Sequence, residues 1–166
     1  MSNQRANFNK IKSSVEKLLE KIPADGLVDL QPLFFDLTLE TAMFLLFRDA
    51  APSHESVKGQ TRQTLFADAF TSAQEYLSYR SRLGNLYWLV DTSRFRRTCD
   101  TTRVFIEDAV QKALDRGSTP KDGRSSTTFI DTLLQQTKDK AVLRDQCVNV
   151  LLAGRDTTAC CLSWTM

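Results

Sequence analysis

The sequence predicts an all-α fold, and three observations support this expectation. Apolar residues recur at steps of three and four over most of the 166 residues, which is the period of an amphipathic helix. Six glycines and four prolines are too few for the many turns of a β-sandwich or β-barrel. No segment carries a confident strand pattern, and the length suits one domain of about 100–200 residues.

Two helices are predicted in the first third of the chain. One face of residues 6–21 carries regularly spaced apolar side chains, and Pro23 ends this helix. The second helix has Pro32 in its first turn, where the missing N–H of proline has no cost. Apolar side chains surround this helix as far as Phe47, so we expect it to be deeply buried.

Helical patterns cover most of the remaining chain. Polar, turn-rich segments predict loops at 48–60 and 117–126. The short apolar segment 85–90 fits a helical continuation better than a strand, which is the alternative there. The other predicted helices cover residues 62–82, 95–117, 129–134 and 139–166.

The charge balance excludes broad electrostatic binding to nucleic acid or membranes. The 22 Lys and Arg residues against 20 Asp and Glu residues give a net charge of +2, so no large excess of one sign is available. The N-terminal MSNQRANFNKIK lacks the apolar region of a signal peptide, and no stretch reaches the about 18–20 uncharged apolar residues of a membrane span. A cluster of arginines from Arg94 to Arg103 is expected on a solvated helix face; a membrane or partner contact beside Trp88 is the alternative.

The cysteines and the single histidine do not form a metal-binding motif. Cys99, Cys147, Cys160 and Cys161 contain no CxxC pair, and His54 stands alone in a polar loop. A structural zinc site needs about four such ligands at close spacings. We expect reduced, mostly buried thiols and neither a disulfide framework nor a metal site.

A polar insertion interrupts the last apolar helix, and two interpretations of the local structure are consistent with it. The insertion runs from Ala153 to Thr158 in CVNVLLAGRDTTACCLSWTM. In the first interpretation Gly154 ends one helix and Asp156 or Thr157 caps the next. In the second interpretation a single bent helix continues through the insertion, and the Thr157 hydroxyl donates a hydrogen bond to the carbonyl of Ala153.

The second interpretation, one continuous helix, provides a candidate functional site. Gly154 has no side chain, so a flat ligand could approach the helix backbone closely. Asp156 contributes a titratable group and Thr157 a hydroxyl, which together form a candidate proton-relay pair. A simple surface ion pair between Arg155 and Asp156 is not expected inside an apolar helix.

This motif resembles the oxygen-binding motif of the cytochrome P450 monooxygenases. The wider segment LLAGRDTTA is similar to fungal and plant members that hydroxylate alkanes and fatty acids, notably the fungal alkane-assimilating group. VDLQPLFFDLTLETAMFLLF, FADAFTSAQEY and RLGNLYWL resemble successive helical segments of that group, in the expected order. The resemblance covers the chain from about residue 8 to its end and implies a partial P450 fold.

The resemblance implies a role for each residue of the motif. Asp156 resembles the acid that helps relay protons, and Thr157 the threonine that hydrogen-bonds iron-bound dioxygen or its nearby water. Ala153 and Gly154 resemble the residues packed over the haem face.

The resemblance also suggests where substrate lies. Leu152 and Cys161 are candidates for lining the substrate space, and residues 62–90 for a lid over the substrate channel. Relatives often carry a glycine where this chain has Arg48, a difference confined to a loop.

The resemblance further implies groups that this chain does not contain. The family's haem iron is held by a cysteine thiolate on a late loop flanked by Phe and Gly, and no segment here matches that loop. Cys160 and Cys161 lie on the oxygen side of the haem, so we expect no metal ligand in this chain. The Glu-x-x-Arg motif and the N-terminal membrane anchor are also expected elsewhere. Residues 1–166 are therefore interpreted as an internal fragment of a single P450 domain.

The implied parent function is haem-thiolate monooxygenation of a lipophilic substrate, such as a long-chain alkane or fatty acid. Haem b would be the cofactor. The reaction would consume O2 and electrons from NADPH, which a cytochrome P450 reductase would deliver. The parent protein would lie on the cytoplasmic face of the endoplasmic reticulum membrane, and the fragment alone would be inactive. The alternatives are a non-catalytic helical ligand- or protein-binding module and an inactive truncated gene product.

Overall fold

Six α-helices form almost all of the described structure. The computed structural model describes residues 2–24, 26–48, 56–57, 60–117 and 128–166. The helices are α1 (Ser2–Glu20), α2 (Leu30–Phe47), α3 (Arg62–Leu83), α4 (Ser93–Gly117), α5 (Phe129–Gln136) and α6 (Lys140–Thr165). The predicted all-α fold is therefore confirmed.

Short elements complete the described chain. A 3-10 helix covers Gly84–Val90, so the predicted helical continuation is confirmed. Within the predicted loop 48–60, β1 (Ser56–Val57) pairs antiparallel with β2 (Gln60–Thr61). His54 and most of the predicted loop 117–126 lie outside the described residues.

Side-chain caps determine where several helices begin. Asp29 accepts a hydrogen bond from the backbone of Gln31 at the start of α2, which places Pro32 in the first turn as predicted. Thr128 and Asp131 form a reciprocal capping box at α5. Asp139 caps α6 through the Ala141 N–H at 2.9 Å. These local signals are readable in the sequence.

Helix α6 lies at the centre of the core. It packs against α2, α4 and α5, and the larger apolar cluster joins their buried residues with the phenylalanines of α3. Phe66 of that cluster stacks on Phe105 with ring centroids 4.2 Å apart. A smaller cluster of Leu18, Phe34 and Ala159 ties α1 and α2 to the C-terminal half of α6. The motif of α6 is therefore held between α2 and α3.

Helix α2 is less buried than the sequence predicts. Phe47 is fully buried, but Leu45 is 44% exposed and borders an open groove beside α6. Among the described helices, α2 is the one whose length and composition suffice to cross a membrane. It also carries Asp36 and Glu40, and Glu40 pairs with Lys10 of α1 at 3.0 Å.

Candidate active site

Helix α6 runs unbroken through the polar insertion. Its α-helical residues extend from Lys140 to Thr165, so the interpretation with a cap at Gly154 is wrong. The Thr157 Oγ1 donates to the carbonyl oxygen of Ala153 at 2.5 Å, as predicted for a single helix. This bond satisfies the hydroxyl hydrogen within the helix, so the insertion needs no break in the backbone.

Ala153 and Thr157 lie on an exposed face of α6. They are four residues apart and therefore share one side of the helix, and both are exposed. Cys160 and Trp164 continue this face toward the C-terminus, and Trp164 is 91% exposed. The opposite side carries the buried residues Leu143, Cys147, Leu151, Arg155 and Ala159. Small side chains thus form the middle of a face of α6 that the described residues leave exposed.

Gly154 faces α2 and not the exposed side. A Cβ placed on it would lie 3.8 Å from the Cβ of Ala42, which is an ordinary contact. Gly154 and Thr158 line an apolar groove of about 480 Å³ between α2 and α6. The structure therefore brings Gly154 together with Thr158, on a side of α6 that lies about 100° around the helix from Ala153 and Thr157.

The two candidate substrate residues lie on different sides of α6. Leu152 is half-buried and packs against the larger core cluster. Cys161 is exposed. Nine residues separate them, which places their side chains about 180° apart around a helix. The structure does not bring these two residues together.

Asp156 lies at the edge of the exposed face, toward α3. Its Oδ2 accepts a hydrogen bond from Gln74 Nε2 at 2.7 Å. Its Oδ1 lies 3.4 Å from Nη1 of the neighbouring Arg155, and 38% of its side chain is exposed. The carboxylate is thus reachable by water while its orientation is set by a residue of another helix.

Arg155 is a buried cation, an environment that the sequence analysis does not predict. It is 5% exposed, and its Nη1 and Nη2 donate to Gln74 Oε1 and Thr71 Oγ1, both at 2.7 Å. The guanidinium lies 4.8 Å from the ring centre of Phe35 and 5.6 Å from that of Phe70. Burial lowers the pKa of Arg155, while the charge of Asp156 acts in the opposite direction.

Two features distinguish Arg155 from the other charged residues of α6. The Nε of Arg155 has no hydrogen-bond partner among the described residues. Arg155 also falls on the buried stripe of α6, four residues from Leu151 and from Ala159. That spacing was the available signal in the sequence, whereas Gln74 has no such signal because it lies 82 residues from Asp156.

The cysteines correct another expectation. Cys147 is buried and Cys99 is half-buried, but Cys160 and Cys161 are exposed, so the prediction of mostly buried thiols is only half right. Among the described residues no group of three or more His, Cys, Asp or Glu side chains is placed to hold a metal ion.

Comparison with known proteins identifies the family. The family model described as Cytochrome P450 matches residues 6–166. The chain belongs to the cytochrome P450 family. It is 48% identical over 170 residues to a cytochrome P450 of Arthroderma benhamiae, covering 100% of this chain and 34% of that protein.

Other P450 relatives are similar over most of the chain. Cytochrome P450 52A9 of Candida maltosa is 42% identical over 147 residues, covering 83% of this chain and 28% of that protein. Cytochrome P450 monooxygenase g430 of Fusarium sp. is 36% identical over 150 residues, covering 82% and 26%. The chain thus spans about a third of the length of its P450 relatives or less. A search of solved structures gave no significant match.

The exposed face of α6 fits one side of a P450 haem. The methyl of Ala153 and the short side chain of Thr157 leave room for a flat ring to lie close to the helix. The Thr157 oxygen, whose hydrogen is donated to Ala153, can accept a hydrogen bond from a group on that side. Cys160 and Cys161 lie on the same helix as this face, so neither is placed to ligate iron from the opposite side of the ring.

Proposed function

We propose that this chain forms the oxygen-side part of a haem monooxygenase. The observation that carries the proposal is the placement of Ala153 and Thr157 on one exposed face of α6, with Asp156 at its edge. Haem, when bound through a cysteine thiolate, supplies the activation of dioxygen in this family. Two electrons would come from NADPH through a reductase. One oxygen atom of O2 would enter a C–H bond of the substrate, and the other would leave as water after taking up two protons.

The residues of α6 would hold and move protons beside the haem. Thr157 keeps its hydroxyl oxygen on the exposed face, because its hydrogen is engaged by the Ala153 carbonyl. Asp156 is partly exposed, so it can take up a proton from water. Asp156 and Thr157 are adjacent and point about 100° apart, so rotation of the carboxylate would carry the proton toward the hydroxyl. General acid–base groups of this kind contribute about 10²–10⁴-fold to a rate.

The proposed substrates are long-chain alkanes or fatty acids. The similarity of LLAGRDTTA and of three upstream segments to the fungal alkane-assimilating P450s supports this choice. By the same resemblance, the enzyme would work at the cytoplasmic face of the endoplasmic reticulum.

A spectral and a product assay test this function together. The enzyme expressed from its complete gene, with a reductase, is expected to bind haem, give a thiolate-type Soret band with carbon monoxide, and hydroxylate dodecanoic acid or hexadecane when NADPH is added. Such a band without any hydroxylated product from either substrate would refute the substrate class. A protein that folds but takes up no haem would refute the monooxygenase itself.

A further inference from the structure

Gln74 of α3 bonds two charged residues of α6 at once. Its Nε2 donates to Asp156 Oδ2 at 2.7 Å, and its Oε1 accepts from Arg155 Nη1 at 2.7 Å. The direct distance between Arg155 Nη1 and Asp156 Oδ1 is longer, 3.4 Å. One neutral amide therefore lies between a cation and an anion and makes one hydrogen bond with each of them.

Arg155 gives this arrangement a fixed point. Its guanidinium is buried, bonded to Thr71, and placed over the rings of Phe35 and Phe70. The Gln74 carbonyl oxygen accepts a hydrogen bond from that buried group, and this bond restrains the plane of the amide. The amide nitrogen is thereby directed at Asp156. A functional side chain is oriented most sharply when its own partner is locked by packing in this way.

Asp156 depends on Gln74 for its position. Its side chain is partly exposed, and the donors to its carboxylate among the described residues are Gln74 and Arg155. Without the amide, the carboxylate would close onto the guanidinium, because charge-assisted bonds are the stronger ones. A carboxylate paired tightly with Arg155 would be turned away from water and from the Thr157 side of α6.

On the basis of the proposed function, we propose that Gln74 is a positioning residue for Asp156. It holds the carboxylate at the edge of α6, where the carboxylate takes up a proton from water and then turns toward Thr157. Gln74 also belongs to α3, so the position of that helix and the orientation of the relay acid are linked through one side chain.

Two substitutions separate positioning from simple attachment of α3. Gln74→Glu keeps an oxygen that accepts from Arg155, so α3 stays attached, but it replaces the donor to Asp156 with a like charge. Gln74→Leu removes both bonds. Thr71→Val is the matched control, since it removes a bond to Arg155 and leaves the Gln74–Asp156 contact in place.

The variants are made in the haem-loaded enzyme expressed from its complete gene. Hydrogen–deuterium exchange of the α3 backbone amides reports the attachment of α3, and an optical titration with dodecanoic acid reports substrate binding. Turnover and its solvent deuterium isotope effect report proton delivery. Gln74→Glu is expected to leave α3 exchange and substrate binding unchanged, lower turnover by about tenfold, and enlarge the isotope effect. Thr71→Val is expected to speed α3 exchange with a wild-type isotope effect.

Wild-type turnover and isotope effect in Gln74→Glu would overturn the proposal and leave Gln74 as an attachment residue only. Asp156→Asn distinguishes that outcome from failure of the proposed function. Slow turnover in Asp156→Asn with normal turnover in Gln74→Glu would refute the positioning role alone. Normal turnover in both would refute the relay role of Asp156 as well. If Gln74→Leu does not fold, Gln74→Glu and Thr71→Val still decide the question.

Discussion

The Thr157 hydroxyl donates a hydrogen bond to the carbonyl oxygen of Ala153, 2.5 Å away and one turn earlier in α6. Both residues are exposed, while Arg155 between them is buried. The bond fixes the direction of the hydroxyl, so its oxygen is available as an acceptor on the exposed face. One turn of helix thus presents a polar acceptor to one side and a buried cation to the other.

Asp156→Asn is expected to slow turnover of the haem-loaded enzyme by about 10²-fold, because the amide cannot carry a proton. Haem content and substrate affinity should stay close to wild type, since the side chain still accepts from Gln74. Steady-state turnover and optical titration check both points. Asp145→Asn, which changes an exposed acid of the same helix, is the control and should leave turnover unchanged. Equal effects from the two variants would contradict a specific role for Asp156.

Arg155→Lys is expected to destabilise the protein by about 2 kcal/mol, because a lysine cannot bond Gln74 and Thr71 together or stack on Phe35 and Phe70. Denaturant unfolding measures the change in the free energy of unfolding. Arg97→Lys alters an exposed arginine of α4 and should change it by less than about 0.5 kcal/mol. A loss of the same small size at Arg155 would show that the buried contacts contribute nothing.

Gly154→Ala is expected to keep haem binding and to raise stability by up to about 1 kcal/mol, because alanine favours a helix interior over glycine. The added Cβ would meet Ala42 at 3.8 Å, so no clash opposes it. Ala153→Leu is the contrasting variant, since it adds bulk on the exposed face and should lower haem content. The Soret absorbance per protein measures the haem content of both variants, and denaturant unfolding measures the stability of Gly154→Ala. Haem loss in Gly154→Ala would place Gly154 against the haem instead of α2.

Cys147 is expected to resist alkylation in the folded protein. Burial raises the pKa of its thiol from 9.0 to about 12, and only the thiolate is a good nucleophile. Iodoacetamide at about pH 9 should therefore leave Cys147 unmodified until the protein is denatured. Peptide mass spectrometry with and without denaturant provides the measurement. Rapid modification under native conditions would show that α6 does not stay packed at this position.

The sequence was a good guide to local structure. Apolar spacing depends on neighbouring residues, and it predicted the helices. The caps Asp29, Thr128 and Asp139 are equally local, but the structure and not the sequence analysis identified them. The bond from Thr157 to Ala153 was predictable for the same reason, since it spans four residues. Exposure was harder to predict. Leu45 and Cys160 are apolar or weakly polar side chains on helix faces that no described element covers.

The contacts between helices could not be predicted from local sequence patterns. Gln74 and Asp156 meet across 82 residues, and nothing in the local pattern around Gln74 marks it. Likewise the side of α6 that Gly154 occupies depends on how closely α2 approaches, which the Ala42 contact reveals. Family resemblance assigns roles to positions, whereas the packing of α2 and α3 decides which groups each position meets.

The most direct test of the account is the amount of hydroxylated product formed per NADPH oxidised in Thr157→Ala and Thr158→Ala. Thr157 and Thr158 are both exposed, but Thr157 shares one side of α6 with Ala153, whereas Thr158 lines the groove against α2. The account predicts that Thr157→Ala releases hydrogen peroxide and loses most of its product, while Thr158→Ala stays close to the wild-type ratio. A coupled Thr157→Ala together with an uncoupled Thr158→Ala would contradict it, because the working hydroxyl would then belong to the other face of α6.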